Sequence, residues 1–287
     1  MSLSIKISRL SNLLFFTQKS NRVKFNKSDL QKYLLDEKVS LSFYGEKEDK
    51  IWKQIEKNIG KDNVKEIQNS IILLDKEFDI YWHKAYKHLL SWQQYFLDNE
   101  SLFQKVIFKI KKLSGINNFL ISRVPIYLVS DLTSKDKEIN AWFSWEPKNS
   151  FIVVEIPFNL QIPKDFFPLA VLAHEFFHLI LRKNEDLFLK ITKIAEKNNE
   201  LLIKLSKNMP AKMFLEELLI SSFIPEGYLS EKYLKTIVIP FKSKPKDLLE
   251  WRKFIAYKLY KITGLYLKDY KIIDEDYLRD LLGAIKY

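Results

Sequence analysis

Apolar residues recur every three or four positions over a long N-terminal stretch of the chain. Ile71, Leu74 and Phe78, for example, lie on one stripe of a helix, because 3.6 residues complete a helical turn. The pattern predicts helices from about residue 28 to residue 115. Residues 1–25 are mixed in character, and we expect a strand followed by a loop there.

Short β-rich runs follow in the middle of the chain. Residues 125–129, 140–145 and 151–156 are rich in β-branched and aromatic residues. The five residues between the last two runs, EPKNS, are typical of a turn. These two runs are therefore predicted to form a hairpin, and the sheet is expected to be small and antiparallel.

Helical patterns return after the predicted strands. One helix is predicted to span about 165–183, and a longer amphipathic helix 184–207. A third helix begins at Pro210 and must end before Pro225. Two more amphipathic helices are predicted between 245 and 286. Helices, a small sheet and then helices indicate an α+β fold, mostly helical, because a parallel α/β sheet would alternate strands with helices.

The first of these later helices contains the sequence HEFFH, from His174 to His178, within an apolar segment. Histidines four positions apart lie on one helical face, about 6 Å apart along the axis, so both imidazoles can converge on one cation. Zinc accepts neutral imidazole nitrogens. Glu175 is placed to take a proton from water at such an ion. The pattern predicts Zn²⁺ held by His174 and His178, with Glu175 as the general base.

A third metal ligand must come from another part of the chain. No histidine follows His178, so we expect a carboxylate. Glu216 and Glu217 are flanked on both sides by apolar residues, where a carboxylate is costly to bury unless a cation compensates its charge. We favour Glu217, because Ser221 lies one turn later on the same face and could help to orient a ligand. Glu216 is the alternative, as is Glu226, which a turn after the helix would expose to solvent.

The motif resembles that of the zincin metallopeptidases, specifically the gluzincin branch that includes thermolysin. HEFFH is similar to the zinc-binding helix of that family, in which the positions of His174 and His178 bind zinc and that of Glu175 is the general base. The doubled glutamates of FLEELL, residues 214–219, resemble the third-ligand helix of the clostridial neurotoxin light chains, where the second glutamate binds the metal. The resemblance implies a zinc-dependent metallohydrolase, a peptidase, acting on a peptide or protein substrate.

An upstream segment extends the resemblance. The sequence NAWF, residues 140–143, is similar to an edge strand of the family that lies antiparallel to an extended substrate. An exposed edge offers unpaired N–H and C=O groups to a peptide. The resemblance implies that Asn140, Ala141 and Trp142 bind substrate, and that the small antiparallel sheet packs on the HExxH helix in a zincin-like core. Family members also carry a residue that stabilises the oxyanion; no motif identifies one here, and Tyr228 is the nearest candidate.

Three regions follow from these assignments. Residues 1–115 form a mainly helical N-terminal region, residues 116–230 the zincin-like metallopeptidase core, and residues 231–287 the C-terminal helices packed on that core. The resemblance covers about 140–228. The alternative to a peptidase is a catalytically inactive zinc-binding or interaction protein with the same fold.

Composition narrows the class of protein further. The chain has no cysteine, which excludes disulfides, thiolate metal sites and a cysteine nucleophile. Its longest apolar run, 166–173, is far below the roughly 20 residues of a membrane span, and the N-terminus lacks a signal-peptide core, so we expect a cytoplasmic protein. A net charge of +11 would suit nucleic acid, but only six of the 47 basic residues are arginine and the lysines are spread over nearly every helix. We therefore expect no nucleic-acid partner.

Overall fold

The computed structural model describes residues 2–20, 34–45, 47–135, 137–146, 149–207, 209–236, 240–241 and 243–286. The chain forms two compact units. The sheet unit comprises Met1–Leu97 and Ser122–Ile162, and the helical unit comprises Asp98–Ile121 and Pro163–Tyr287. Each unit combines two distant stretches of chain, unlike the contiguous regions 1–115, 116–230 and 231–287, which stay a prediction.

Four strands form one sheet in the described part of the sheet unit, in the order β1-β2-β4-β3. They are β1 (Ser4–Lys6), β2 (Pro125–Asp131), β3 (Asn140–Ser144) and β4 (Phe151–Pro157). β3 pairs antiparallel with β4, which confirms the predicted hairpin. The pairs β1–β2 and β2–β4 are parallel, so the prediction of an antiparallel sheet was wrong and the sheet is mixed. The physical reason lies in β2 and β4, which are buried along almost their whole length, as central parallel strands usually are.

The helices of the sheet unit are α1 (Arg9–Ser20), α2 (Glu37–Leu41), α3 (Glu48–Ile59) and α4 (Lys61–Asp98), which ends at the unit boundary. α1 replaces the loop expected after β1, because its leucines and phenylalanines recur at helical spacing and are buried. The buried amide of Asn12 ties this helix to β2: its Nδ2 donates to the carbonyl of Leu128 (3.2 Å) and its Oδ1 accepts from the backbone N–H of Ser130 (2.8 Å). The parts of the predicted loop and helices at 21–33 lie outside the described residues.

The helical unit contains eight α-helices among its described residues: α5 (Glu100–Leu113), α6 (Phe167–Lys183), α7 (Glu185–Lys197), α8 (Asn199–Ser206), α9 (Ala211–Ser221), α10 (Tyr228–Leu234), α11 (Leu248–Lys268) and α12 (Glu275–Lys286). The predicted helices at 165–183 and 210–224 and the two C-terminal helices are confirmed. The single helix predicted at 184–207 was wrong, and α10 was not predicted. The chain leaves helical geometry at Asn198, whose side chain donates a hydrogen bond to the carbonyl of Ile194 (2.8 Å).

α6 is buried on nearly every side, including the segment that carries HEFFH. Phe176 packs against Phe103 of α5 with ring centroids 5.5 Å apart, and Phe177 packs against Phe223 at 5.6 Å. Aromatic side chains on two faces of α6 therefore fix its rotation, and with it the direction of the two histidines. None of the described helices is both long and apolar enough to cross a membrane.

Candidate metal centre

α6 and α9 bring three potential metal ligands together. The Nε2 atoms of His174 and His178 are 3.1 Å apart. Glu217 places Oε2 3.2 Å from Nε2 of His174 and Oε1 3.1 Å from Nε2 of His178. In a tetrahedral zinc site with bonds of about 2.0–2.1 Å, neighbouring ligand atoms lie about 3.3 Å apart. The three side chains therefore have nearly the spacing that one tetrahedral ion requires.

The two consecutive glutamates of α9 reach different atoms of the histidine pair. Successive side chains on a helix point about 100° apart. Glu217 consequently faces both Nε2 atoms, whereas Glu216 places Oε1 2.6 Å from Nδ1 of His178. Of the three predicted alternatives for the third ligand, Glu217 alone joins the histidines in a group that could hold a metal ion, among the residues that the structure describes.

Hydrogen bonds at Nδ1 define which nitrogen of each histidine carries the lone pair. Nδ1 of His174 lies 3.1 Å from the carbonyl oxygen of Ile224, which can only accept, so this nitrogen carries the proton. Nδ1 of His178 donates to Glu216 in the same way. In the neutral rings both Nε2 lone pairs then point at each other and at the Glu217 carboxylate. Such a group of acceptors is stable only with a cation or a proton among them.

The charges around His178 favour positive charge at this position. Burial by itself lowers the pKa of His178, but hydrogen bonds to Glu216 and Glu217 and the charges of both carboxylates raise it to about 10. Burial would likewise raise the pKa of Glu217, whereas the charge of His174 and hydrogen bonds to both histidines lower it well below its usual range. The cluster is therefore built to hold a cation against a carboxylate that stays ionised.

Glu216 is a buried outer partner of the cluster. Its side chain is only 2% exposed, and Arg182 lies one turn after His178 on α6 with its Nε 3.6 Å from Glu216 Oε1. Burial tends to raise the pKa of Glu216, but the hydrogen bond with His178 and the charge of Arg182 lower it. A charged carboxylate on Nδ1 fixes the ring orientation and increases the basicity of Nε2.

Glu226 pairs with an arginine instead of the histidines. Its carboxylate accepts from Nη2 of Arg252 at 3.1 Å and from Nε at 3.4 Å. The side chain of Glu226 is 10% exposed, so the expectation of a solvent-exposed turn residue was wrong. Nη1 of the same arginine lies 3.9 Å from Oε2 of Glu217.

Glu175 is buried on α6 beside His174. Burial raises the pKa of its carboxyl group, while the charges of His174, His178 and Arg252 act in the opposite direction. A carboxylate with a raised pKa is better suited to accept a proton and to return it than an ordinary solvated glutamate.

The loop between α9 and α10 supplies two of the outer contacts. Ile224 offers its carbonyl to His174, and Glu226 holds Arg252. The loop folds so tightly that a Cβ at Gly227 would lie 2.1 Å from the carbonyl oxygen of Ser222. Glycine is therefore required where the loop doubles back, and the loop fixes groups on both sides of the cluster.

Other expectations about the site differ from the structure. Ser221 Oγ is buried without a hydrogen-bond partner in the described part of the chain, so it does not orient Glu217. Tyr228 packs against Tyr260 with ring centroids 5.1 Å apart and contacts neither histidine in any described interaction. The outer partners Arg182, Arg252 and Ile224 were missed. Arginine is scarce in this lysine-rich chain, and Arg182 follows His178 by four residues; these two signals could have pointed to the arginines.

The predicted substrate-binding residues lie on β3, at an edge of the sheet within the described residues. Asn140 is exposed, and Ala141 and Trp142 are half-buried. The indole N–H of Trp142 donates to Oε1 of Glu155 (2.9 Å), and its ring packs against Tyr44 with centroids 5.4 Å apart. β3 belongs to the sheet unit, whereas His174, His178 and Glu217 belong to the helical unit, and a role of this strand in substrate binding stays a prediction.

The cluster thus combines two histidines, one carboxylate in contact with both, and a buried glutamate next to the first histidine. The Nδ1 atom of each histidine has its own hydrogen-bond acceptor, on the side of the ring away from Nε2. The function must be inferred from this chemistry, since neither a protein-family model, nor a curated protein, nor a solved structure matches the chain.

Proposed function

We propose that this protein is a zinc-dependent hydrolase of the zincin type, with peptides as its substrates. The observation that carries the proposal is the triangle formed by Nε2 of His174, Nε2 of His178 and the Glu217 carboxylate, with sides of 3.1–3.2 Å. Two imidazole lone pairs and a carboxylate this close together in the interior of a protein need a positive charge among them, which a metal ion would supply in place of an added proton.

The donor set favours zinc over other biological cations. Magnesium and calcium prefer sets of six or more oxygen atoms, whereas two imidazoles and one carboxylate suit zinc. Catalytic zinc sites typically have three protein ligands and keep the fourth position for water or substrate. His174, His178 and Glu217 make up such a set of three.

Glu175 is the group that moves the proton. When bound, zinc would polarise a carbonyl group and lower the pKa of water in its coordination shell. Glu175 takes the proton of the attacking water and returns it to the leaving amine nitrogen, which its raised pKa favours. Its place directly after His174 on a buried helix keeps its carboxylate beside the metal ligands and partly shielded from solvent.

Two features favour a peptide as the substrate. The order of an edge strand, an HExxH helix and a later helix with the third ligand resembles that of the gluzincins, and β3, α6 and α9 follow this order along the chain. An edge strand can add an extended peptide through backbone hydrogen bonds, which is independent of the side chains of the substrate. In this proposal β3 holds the substrate through Asn140, Ala141 and Trp142.

Metal analysis of the purified protein tests the first part of the proposal. We expect about one zinc ion per chain, lost in His174→Ala because a ligand is removed. His83→Ala is the matched control, since His83 is exposed on α4 and outside the cluster. Zinc retained in His174→Ala, or absent from the wild-type protein after incubation with the metal, would contradict the assignment.

Cleavage of a random peptide pool, followed by mass spectrometry, tests the second part. The wild-type protein should cleave peptides, and Glu175→Gln should keep its zinc but lose about 10²–10⁴-fold in rate, because the general base is removed. Glu185→Gln, on the exposed start of α7, should behave as wild type. Stoichiometric zinc without cleavage would instead favour the inactive zinc-binding protein.

A further inference from the structure

The guanidinium of Arg252 is held in a fixed direction by one carboxylate. Its Nε and Nη2 edge faces Glu226, with distances of 3.4 Å from Nε to Oε2 and 3.1 Å from Nη2 to Oε1. This is the two-point arrangement in which an arginine loses most of its rotational freedom. The side chain is 20% exposed, so part of the group remains open to solvent or to a ligand.

The remaining edge of this guanidinium faces the metal cluster. Nη1 lies 3.9 Å from Oε2 of Glu217, which is too far for a direct hydrogen bond. Among the described residues no other acceptor is within hydrogen-bond distance of Nη1. The charge of Arg252 also acts on Glu175, on the other helix of the cluster. The guanidinium therefore lies beside the third ligand, with a donor for which the described residues offer no acceptor.

The accessible side of the cluster is the side on which Arg252 lies. His174, Glu175, His178 and Glu216 are almost completely buried. Glu217 and Arg252 are 21% and 20% exposed. Arg182 is 24% exposed, but the buried Glu216 lies between it and His178. The exposed approach to the cluster therefore lies beside Glu217, and a ligand oxygen bound there would lie near Nη1 of Arg252.

We propose that Nη1 of Arg252 binds the oxygen of the reacting carbonyl group, so that the arginine and the metal ion share one oxyanion, and that Glu226 is a positioning residue that aims the arginine. The inference rests on the proposed function. When water adds to the carbonyl carbon, the electron pair of the C=O π bond moves to oxygen, and the new negative charge is stabilised by a preorganised cation. Arg252 would then stabilise the oxyanion, the role for which Tyr228 was the nearest candidate in the sequence.

Anion binding to the cobalt-loaded protein tests this inference without a known substrate. Cobalt(II) replaces zinc and reports changes in coordination through its visible absorption, and inorganic phosphate is the probe. We expect Arg252→Gln to weaken phosphate binding at least about tenfold, with an unchanged cobalt stoichiometry, and Arg252→Lys to recover part of the loss because it keeps the charge. Arg279→Gln is the matched control, since Arg279 is 76% exposed on α12 and remote in sequence from the ligands.

A positioning role for Glu226 has its own readout. Glu226→Gln keeps the positive charge of Arg252 but weakens the carboxylate that orients it, so phosphate affinity should fall by less than in Arg252→Gln. Added guanidinium chloride should restore phosphate binding to Arg252→Ala, where it can occupy the space of the lost group, and should not restore it to Glu226→Gln. Equal phosphate affinity in wild type and Arg252→Gln would overturn the proposal, even if folding and metal content are normal.

The failure of this inference can be told apart from failure of the proposed function. If no cobalt or zinc binds, the metal centre itself is refuted. If the metal binds and the peptide pool is cleaved, Arg252→Gln should lower kcat while KM changes little, because the oxyanion exists only in the reaction. A loss confined to peptides with a free C-terminal carboxylate would assign Arg252 to that terminal group and overturn the proposed role.

Discussion

Glu216 and Glu217 have the same side chain on adjacent positions of one helix, yet their surroundings differ. Glu217 contacts both Nε2 atoms, and Glu216 accepts from Nδ1 of His178 while Arg182 lies near it. One is therefore a candidate ligand, and the other orients a ligand. The distinction depends only on a rotation of about 100° between successive helical residues.

The two amide variants should separate these roles. Glu217→Gln removes the charged ligand atom and should abolish stoichiometric zinc binding at micromolar metal. Glu216→Gln keeps the three ligands but weakens the support of His178, and should lower zinc affinity about 10–100-fold, the usual cost of losing an outer partner. Competition with a chromogenic chelator measures both affinities. A larger loss in Glu216→Gln than in Glu217→Gln would reverse the two assignments.

At the residue scale, the sequence predicted the candidate metal ligands better than the groups that orient them. The i, i+4 histidines and the glutamate pair flanked by apolar residues are side-chain signals, and the choice of Glu217 rested on the helical face that it shares with Ser221. Ser221 has no part in orienting it, because its Oγ has no partner among the described residues. The groups that orient the histidines are a backbone carbonyl, at Ile224, and the neighbouring Glu216. A backbone carbonyl has no sequence signature, so that contact could not be predicted.

Among the elements, the loop 222–227 contributes as much as the helices it connects. It carries the carbonyl that accepts from His174 and the carboxylate that holds Arg252, and its path depends on Gly227. Backbone atoms surround the position that a side chain would occupy there, so the loop itself would have to move. Metal affinity and loop conformation should therefore be coupled.

Replacement of two glycines by alanine tests this coupling. Gly227→Ala should destabilise the protein by about 1–3 kcal/mol or more, as overpacking does, and should also weaken zinc binding. Gly283→Ala is the control, because it lies in α12 with nothing within 4 Å of the added Cβ, and should stabilise by up to about 1 kcal/mol. Chemical denaturation and chelator competition provide the measurements. Normal zinc affinity in Gly227→Ala would mean that the loop does not hold the ligands.

The sheet shows why local patterns predict elements more easily than their arrangement. The strand positions of β2, β3 and β4 and the β3–β4 hairpin follow from runs and turns that are close in sequence. The parallel pairing of β1 with β2 places Ser4 opposite Pro125, and no local sequence pattern predicts a pairing partner so distant in sequence. The largely apolar runs of β2 and β4, which the structure buries along almost their whole length, were a sign in the sequence of a central parallel pair.

At the scale of the whole molecule, the candidate metal centre should stabilise the folded chain when a cation is bound. All its described candidate ligands and outer partners belong to the helical unit, where the buried Glu175 and Glu216 and two partly exposed arginines lie around them. A cation that binds only the folded chain stabilises it by mass action. Without such a cation, the closely packed acceptors would need an added proton to avoid destabilising the fold.

Thermal unfolding with and without zinc measures this contribution. At a zinc concentration of 100 times Kd, the free energy of unfolding should increase by about 2.7 kcal/mol, which corresponds to a rise of several degrees in Tm. A chelator should remove the increase, and His174→Ala should not show it. An equal Tm in zinc and in chelator would be incompatible with a metal centre inside the helical unit.

A crystal structure of the zinc-soaked protein, with anomalous diffraction recorded above and below the zinc absorption edge, tests the central claim most directly. We predict one anomalous peak about 2.0–2.2 Å from Nε2 of His174, Nε2 of His178 and a carboxylate oxygen of Glu217. A structure without a peak between these three side chains, or with zinc on Glu216 or Glu226 in place of Glu217, would contradict it.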